Sequence, residues 1–163
     1  MAEPVPFPSK LFSLLSILEK VATVVALLGV AFEYLHLAGA NMLLMIGLST
    51  LAGVYFLTGF RPPEKTDDEQ KPGFAALLAT TILPKVSWIA CAVLVIGIQF
   101  HLLHLPGATQ QLQIGALAGA AAAVIFGFLV AQGNEHAKSQ IGVLYRLVPM
   151  LIITSYFLMP PSV

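Results

Sequence analysis

Four side chains in an otherwise hydrocarbon-rich sequence have the types and spacing to do chemistry: Glu33, His36, His101 and His104. Within each pair the spacing is i,i+3, which sets both members on one face of a helix. A Glu-x-x-His facing a His-x-x-His could ligate a divalent metal, as carboxylate–histidine sites in helical bundles do. A hydrogen bond between Glu33 and His101, with His36 and His104 bound to nearby backbone, uses the same residues without a metal. An acid in lipid costs about 2.5–3.5 kcal/mol at mid-membrane and less near the surface, so Glu33 needs compensation either way. No nucleophile, base and orienting group occur together, and the expectation is a protein that is not an enzyme.

The two pairs belong to one duplicated corner. FEYLHLAGA at 32–40 returns as FHLLHLPGA at 100–108, and the IG at 46–47 returns at 114–115 with the same 68-residue offset. ILEKV at 17–21 is matched by ILPKV at 82–86, an offset of 65. Each unit reads as a short pre-helix, a lysine, a helix out, a Gly-Ala corner and a helix back. The pre-helices either lie in the headgroup plane, as the leucine and serine faces of 9–20 suggest, or simply lengthen the helices that follow. Both units enter from the same side, so they are parallel repeats related by an axis along the membrane normal.

The elements that must position these residues are membrane spans. Of the 163 residues 58% are hydrophobic and 10% charged, with mean hydropathy +0.88; soluble domains carry about 25% charged residues. A 30 Å hydrocarbon core takes roughly 20 apolar residues as a helix. Stretches 21–37, 40–60, 86–105, 112–130 and 141–159 meet that requirement, the last interrupted by Pro149. The expected fold is all-α, a polytopic integral membrane bundle of about five helices: two parallel hairpin repeats plus one C-terminal helix. The repeats are placed at 7–63 and 74–130, a proline-rich charged linker at 61–73 and the last helix at 141–159, all in one membrane domain. Gly115 and Gly119 form a GxxxG, and Ser49 and Gly53 share its spacing in the first copy. Gly47, Gly53, Gly115 and Gly119 are candidate helix-packing residues, because small side chains let backbones approach closely in lipid.

Charge fixes an orientation. With alternating crossings, Lys10, Lys20, Arg61, Lys65, Lys71, Lys85, Lys138 and Arg146 all fall on one side, Arg146 by snorkelling. Positive residues concentrate in cytoplasmic loops, so the expectation is a bacterial inner-membrane protein with its N-terminus in the cytoplasm and its C-terminus in the periplasm. Net charge is zero, which gives no field for nucleic acid. The lone Cys91 excludes an internal disulfide. The opening MAEPVPFPSK lacks the basic stretch and cleavage site of a signal peptide, so Met1 is expected to begin the mature chain.

AFEYLHLAGA, followed by MIGLSTLAGVYFLTGFRPP, resembles the two-helix membrane region of GldL-type proteins, inner-membrane components of the bacterial gliding-motility and type IX secretion motor. In that family an F-K-x-x-H-x-P-G-A corner leads into a helix with G-x-G-T-E-A, an aromatic-rich end and a Pro-Pro exit. Phe32, His36, Gly39, Ala40, Gly47, Thr50, Ala52, Phe60, Pro62 and Pro63 fit, residues 20–63 closely and 85–130 more loosely. Glu33 and His101 stand where the family has an intramembrane lysine, and Leu51 and Gly119 where it has an intramembrane glutamate. The resemblance implies a shared membrane fold multiplied by duplication. It also implies that the Lys/Glu pair coupling proton flow to rotation is missing, since leucine carries no proton. The reading is a non-enzymatic structural or interaction subunit of an envelope complex, its partners being lipid and either further copies or other membrane subunits. The alternative is a membrane metal- or cofactor-binding protein using Glu33, His36, His101 and His104.

Overall fold

The computed structural model describes residues 7–61, 77–133, 137–138 and 141–159. Over these residues the chain is helical: α1 (Phe7–Tyr34), α2 (Ala40–Gly59), α3 (Leu83–Leu102), α4 (Ala108–Ala131) and α5 (Ile141–Leu158). A π-helical turn, Leu78–Ile82, runs directly into α3. All five α-helices are long and apolar enough to cross a membrane. Residues 62–73 of the expected linker, and His136 in the loop before α5, lie outside the described residues.

α1 is unbroken over 28 residues. At about 1.5 Å per residue it is longer than a bilayer core is thick, so 9–20 extend the span rather than forming a separate helix. The π turn has a local cause in Pro84. Proline offers no N–H and its ring crowds the carbonyl four residues back; the wider turn, closed by Leu83 N–H donating to the Leu78 carbonyl, gives that ring room. In α5, by contrast, Pro149 is absorbed without ending the helix.

Lipid gives apolar faces no reason to turn inward, so helices associate by close-range dispersion and polar contact. The hairpins meet this demand with glycines set against the opposing backbone. A Cβ on Gly29 would lie 2.8 Å from the Leu44 amide nitrogen, and one on Gly47 would lie 2.6 Å from that of Ala26. In the second hairpin a Cβ on Gly97 would lie 3.1 Å from the Leu112 nitrogen, and one on Gly115 would lie 3.2 Å from the Leu94 nitrogen. Each of these contacts reappears 68 residues on. Burial keeps that offset further down the helices, pairing Leu15 with Leu83 and Ala22 with Ala90. ILEKV and ILPKV, 65 residues apart, are therefore alike in sequence without being equivalent in place.

The two hairpins join through α2 and α3, whose contacts run in opposite directions: Ser49 meets Gln99 near one end and Tyr55 meets Trp88 near the other. α1 and α3 are consequently parallel. Leu48, Leu51, Cys91, Val95 and Phe126 share one buried cluster with Leu147 of α5. Over half of the α3 span is enclosed, against 17% for α1 and for α5, so α3 is the axis of the bundle. α5 packs on α3 and α4, where Gly119 admits Leu147 and Leu151.

Of the expected packing glycines, Gly47, Gly115 and Gly119 are buried, whereas Gly53 is exposed with open space where a Cβ would go. Gly47→Ala is expected to lower stability by about 1–3 kcal/mol through overpacking against the α1 backbone. Gly53→Ala is expected to be neutral or to stabilise by up to about 1 kcal/mol through helix propensity. Thermal unfolding in detergent ranks the two; equal effects would contradict the packing described.

Candidate functional site

The repeated corner is a backbone device. In the first copy the Leu37 N–H donates to the Phe32 carbonyl and the His36 N–H to the Glu33 carbonyl; in the second, Leu105 donates to Phe100 and His104 to His101. These are the two bonds of a Schellman cap, which needs a left-handed residue at the position of the histidine. His36 and His104 both have φ of 53°, and histidine is among the non-glycine residues enriched there. Three residues on, Gly39 (φ 93°) and Gly107 (φ 86°) turn the chain again and present carbonyls to Leu43 and Gln111 in the next helix. Phe32 and Leu37, and their counterparts Phe100 and Leu105, occupy the positions whose apolar contact usually accompanies this cap.

The side chains expected to act as ligands are distributed accordingly. His36 and His104 are exposed, and Glu33 is half-buried near the end of α1. His101 is half-buried and stacks on Phe157 of α5, ring centroids 4.3 Å apart and planes 22° from parallel. No hydrogen bond joins Glu33 to His101, and among the described residues no three His, Cys, Asp or Glu side chains are gathered as a metal would require. What the histidines share is their place in the turn.

Polar contact inside the span lies instead on the hairpin seam. Ser49 of α2 and Gln99 of α3 hydrogen-bond through the Gln99 amide nitrogen, 3.0 Å from the serine oxygen, with the amide oxygen 3.2 Å away. Gln99 is buried although polar, and it borders a lateral cavity of about 520 Å³ walled by Ala52, Gly53, Phe56, Ala92 and Ile96. Among the described residues, the Ser87 and Thr154 hydroxyls are also buried, without a hydrogen-bond partner.

The end away from the corners holds a charge cluster that the sequence pattern did not reveal. Arg146 donates from Nε to Glu19 Oε1 at 2.6 Å, from Nη2 to Glu19 Oε2 at 3.2 Å, and from Nη1 to the Gly142 carbonyl at 3.1 Å. It is therefore a fork-to-fork partner of Glu19 rather than a side chain reaching alone for water. Its guanidinium lies over the Trp88 ring at 5.5 Å, and Trp88 packs at the same distance on Tyr55. Arg61, just past α2, lies over Phe12 at 4.9 Å. Side chains of α1, α2, α3 and α5 thus converge there. The available signal was an arginine that is the one charged residue of α5 and an acid on α1, both placed by topology at the same end.

The five apolar helices define a polytopic helical membrane protein. Residues 19–73, about a third of the chain, match the family described as GldL N-terminal domain. That segment begins at Glu19 and takes in the rest of α1, the first corner and all of α2. The first hairpin thus resembles the GldL membrane region, and the second repeats its packing 68 residues on. No curated protein and no solved structure matches the chain. Leu51, where the family carries its intramembrane glutamate, is buried in the core, and Gly119 at the corresponding place in the second copy receives Leu147 and Leu151.

If His36 is present for its backbone conformation, His36→Gly should leave the unfolding midpoint unchanged or raise it. His36→Val should cost about 1–2 kcal/mol, the penalty of placing an ordinary side chain in the left-handed region. Metal analysis after zinc loading and desalting should find less than one ion per chain, with no further loss in a His101→Ala/His104→Ala double variant. Stoichiometric metal that disappears in the double variant would restore the ligand reading.

Proposed function

We propose that this protein is a non-enzymatic structural or interaction subunit of a membrane complex of the gliding-motility and type IX secretion class, without motor activity of its own. The observation that carries the reading is the duplicated hairpin: one copy matches the GldL N-terminal domain, and the other repeats its backbone contacts. The absence of motor activity is inferred from Leu51 and Gly119, which supply hydrocarbon and a bare backbone where proton transfer would need an acid. A long exposed apolar surface on α1 and α4, including Leu27, Leu117, Val124 and Phe128, leaves area for contact with lipid or with other subunits.

In this reading the chain lies in the inner membrane with the charge-cluster end in the cytoplasm. Arg61, Lys85, Lys138 and Arg146 support that orientation, since they lie near helix ends away from the corners. Cross-linking in intact cells, followed by mild-detergent purification, is expected to recover the protein in a species larger than one chain. A monomer with no co-purifying envelope component would overturn the assignment. Cysteine labelling checks the orientation: a reagent confined to the periplasm should reach a cysteine at Ala38 and not one at Lys20.

A further inference from the structure

We infer that the cavity between Arg61 and Arg146 is a binding site for a phosphate group at the membrane boundary, carried by a phospholipid headgroup or by a free phosphate anion. The inference is independent of the proposed role in a complex. The cavity has a volume of about 220 Å³ and is lined by Ser16, Glu19, Thr58, Arg61, Trp88 and Arg146, among others. Its charge does not balance. Both oxygens of Glu19 are taken by Arg146, while Arg61 faces the same cavity with no carboxylate partner among the described residues. Among the described residues that line the cavity, one unit of positive charge is left over.

Each guanidinium lies over an aromatic ring, Arg61 at 4.9 Å from the Phe12 centroid and Arg146 at 5.5 Å from that of Trp88. A cation over a ring face keeps the N–H groups directed away from the ring for other acceptors, and arginine binds phosphate oxygens in pairs. Arg146 retains donors beyond those given to Glu19 and Gly142. The Ser16 hydroxyl makes no hydrogen bond within the described residues and adds another donor, whereas the Thr58 proton is committed to the Val54 carbonyl. Depth favours a phosphate over other anions. At about 1.5 Å per residue, Glu19 lies roughly 22 Å and Phe12 roughly 33 Å along α1 from its corner end, which brackets the far edge of a 30 Å hydrocarbon core. Lipid phosphates lie at that edge.

Trp88 is the only tryptophan in the chain and borders the cavity, so its fluorescence reports occupancy. Delipidated full-length protein in a neutral detergent is titrated with phosphatidylglycerol, with phosphatidylcholine and with inorganic phosphate. The expected result is a saturable change in Trp88 emission with phosphatidylglycerol or inorganic phosphate, weakened about tenfold by Arg61→Gln, equivalent to roughly 1.4 kcal/mol. Lys20→Gln, which removes the same formal charge from the same end of the bundle, should leave the titration unchanged. Saturation by lipid alone identifies the headgroup as the source, and saturation by inorganic phosphate identifies the free anion. Should Arg61→Gln fail to fold, Arg61→Lys keeps the charge, loses the fork and should bind more weakly than wild type. A flat response to phosphatidylglycerol and inorganic phosphate, or equal binding by wild type and a folded Arg61 variant, would overturn the site.

Discussion

Backbone held against backbone is the constraint from which the rest of this bundle follows. A helix in lipid has no water to escape, and two helices stay together only if their surfaces touch over many atoms. Gly29, Gly47, Gly97 and Gly115 make that possible, because at each a side chain would be driven into the neighbouring main chain or its leucine. The corner then has to return the chain at close quarters, which demands left-handed residues in quick succession and explains why a histidine and a glycine recur three positions apart. A single steric requirement thus sets the helix spacing, the turn and the period of the repeat.

Against this frame, polar chemistry is placed at distinct levels. The corner end carries side chains that serve the turn or stack, as His101 does on Phe157. Just inside that end one amide–hydroxyl pair, Ser49 with Gln99, bridges the seam, and hydrogen bonds between transmembrane helices are worth on average only about 0.6 kcal/mol. That pair aligns the hairpins more than it binds them. The opposite end gathers charge, aromatic rings and a cavity. Nothing in the described residues joins these levels into a continuous polar path through the span, in keeping with Leu51 and Leu94 being buried in the core.

The sequence made the architecture legible wherever a physical signal repeats. Five apolar runs of spanning length gave five helices, and the duplicated corner gave the two hairpins, because hydropathy and turn chemistry are both local. It was less informative about faces. Ser49 and Gly53 share the spacing of Gly115 and Gly119, yet Gly53 looks out on open space; spacing along one helix does not say which way the stripe points. Gly29 and Gly97 stayed invisible for a related reason, since each is paired with a glycine on a different helix. The polar residues were legible in position and less so in partners. His36 and His104 carry the atoms of metal ligands but occupy turn positions chosen for φ, while the ion pair that does form links Glu19 to Arg146 across 127 residues without any periodic cue.

That long separation bears on how the protein is made. Each hairpin closes on residues roughly twenty apart, so the first is complete while later segments are still being synthesised, as N-terminal units generally are. Glu19, in contrast, belongs to α1, and its partner Arg146 to α5, which is made later. Until α5 arrives the Glu19 carboxylate lacks the Arg146 counter-ion, and insertion of α5 closes a latch across the two hairpins.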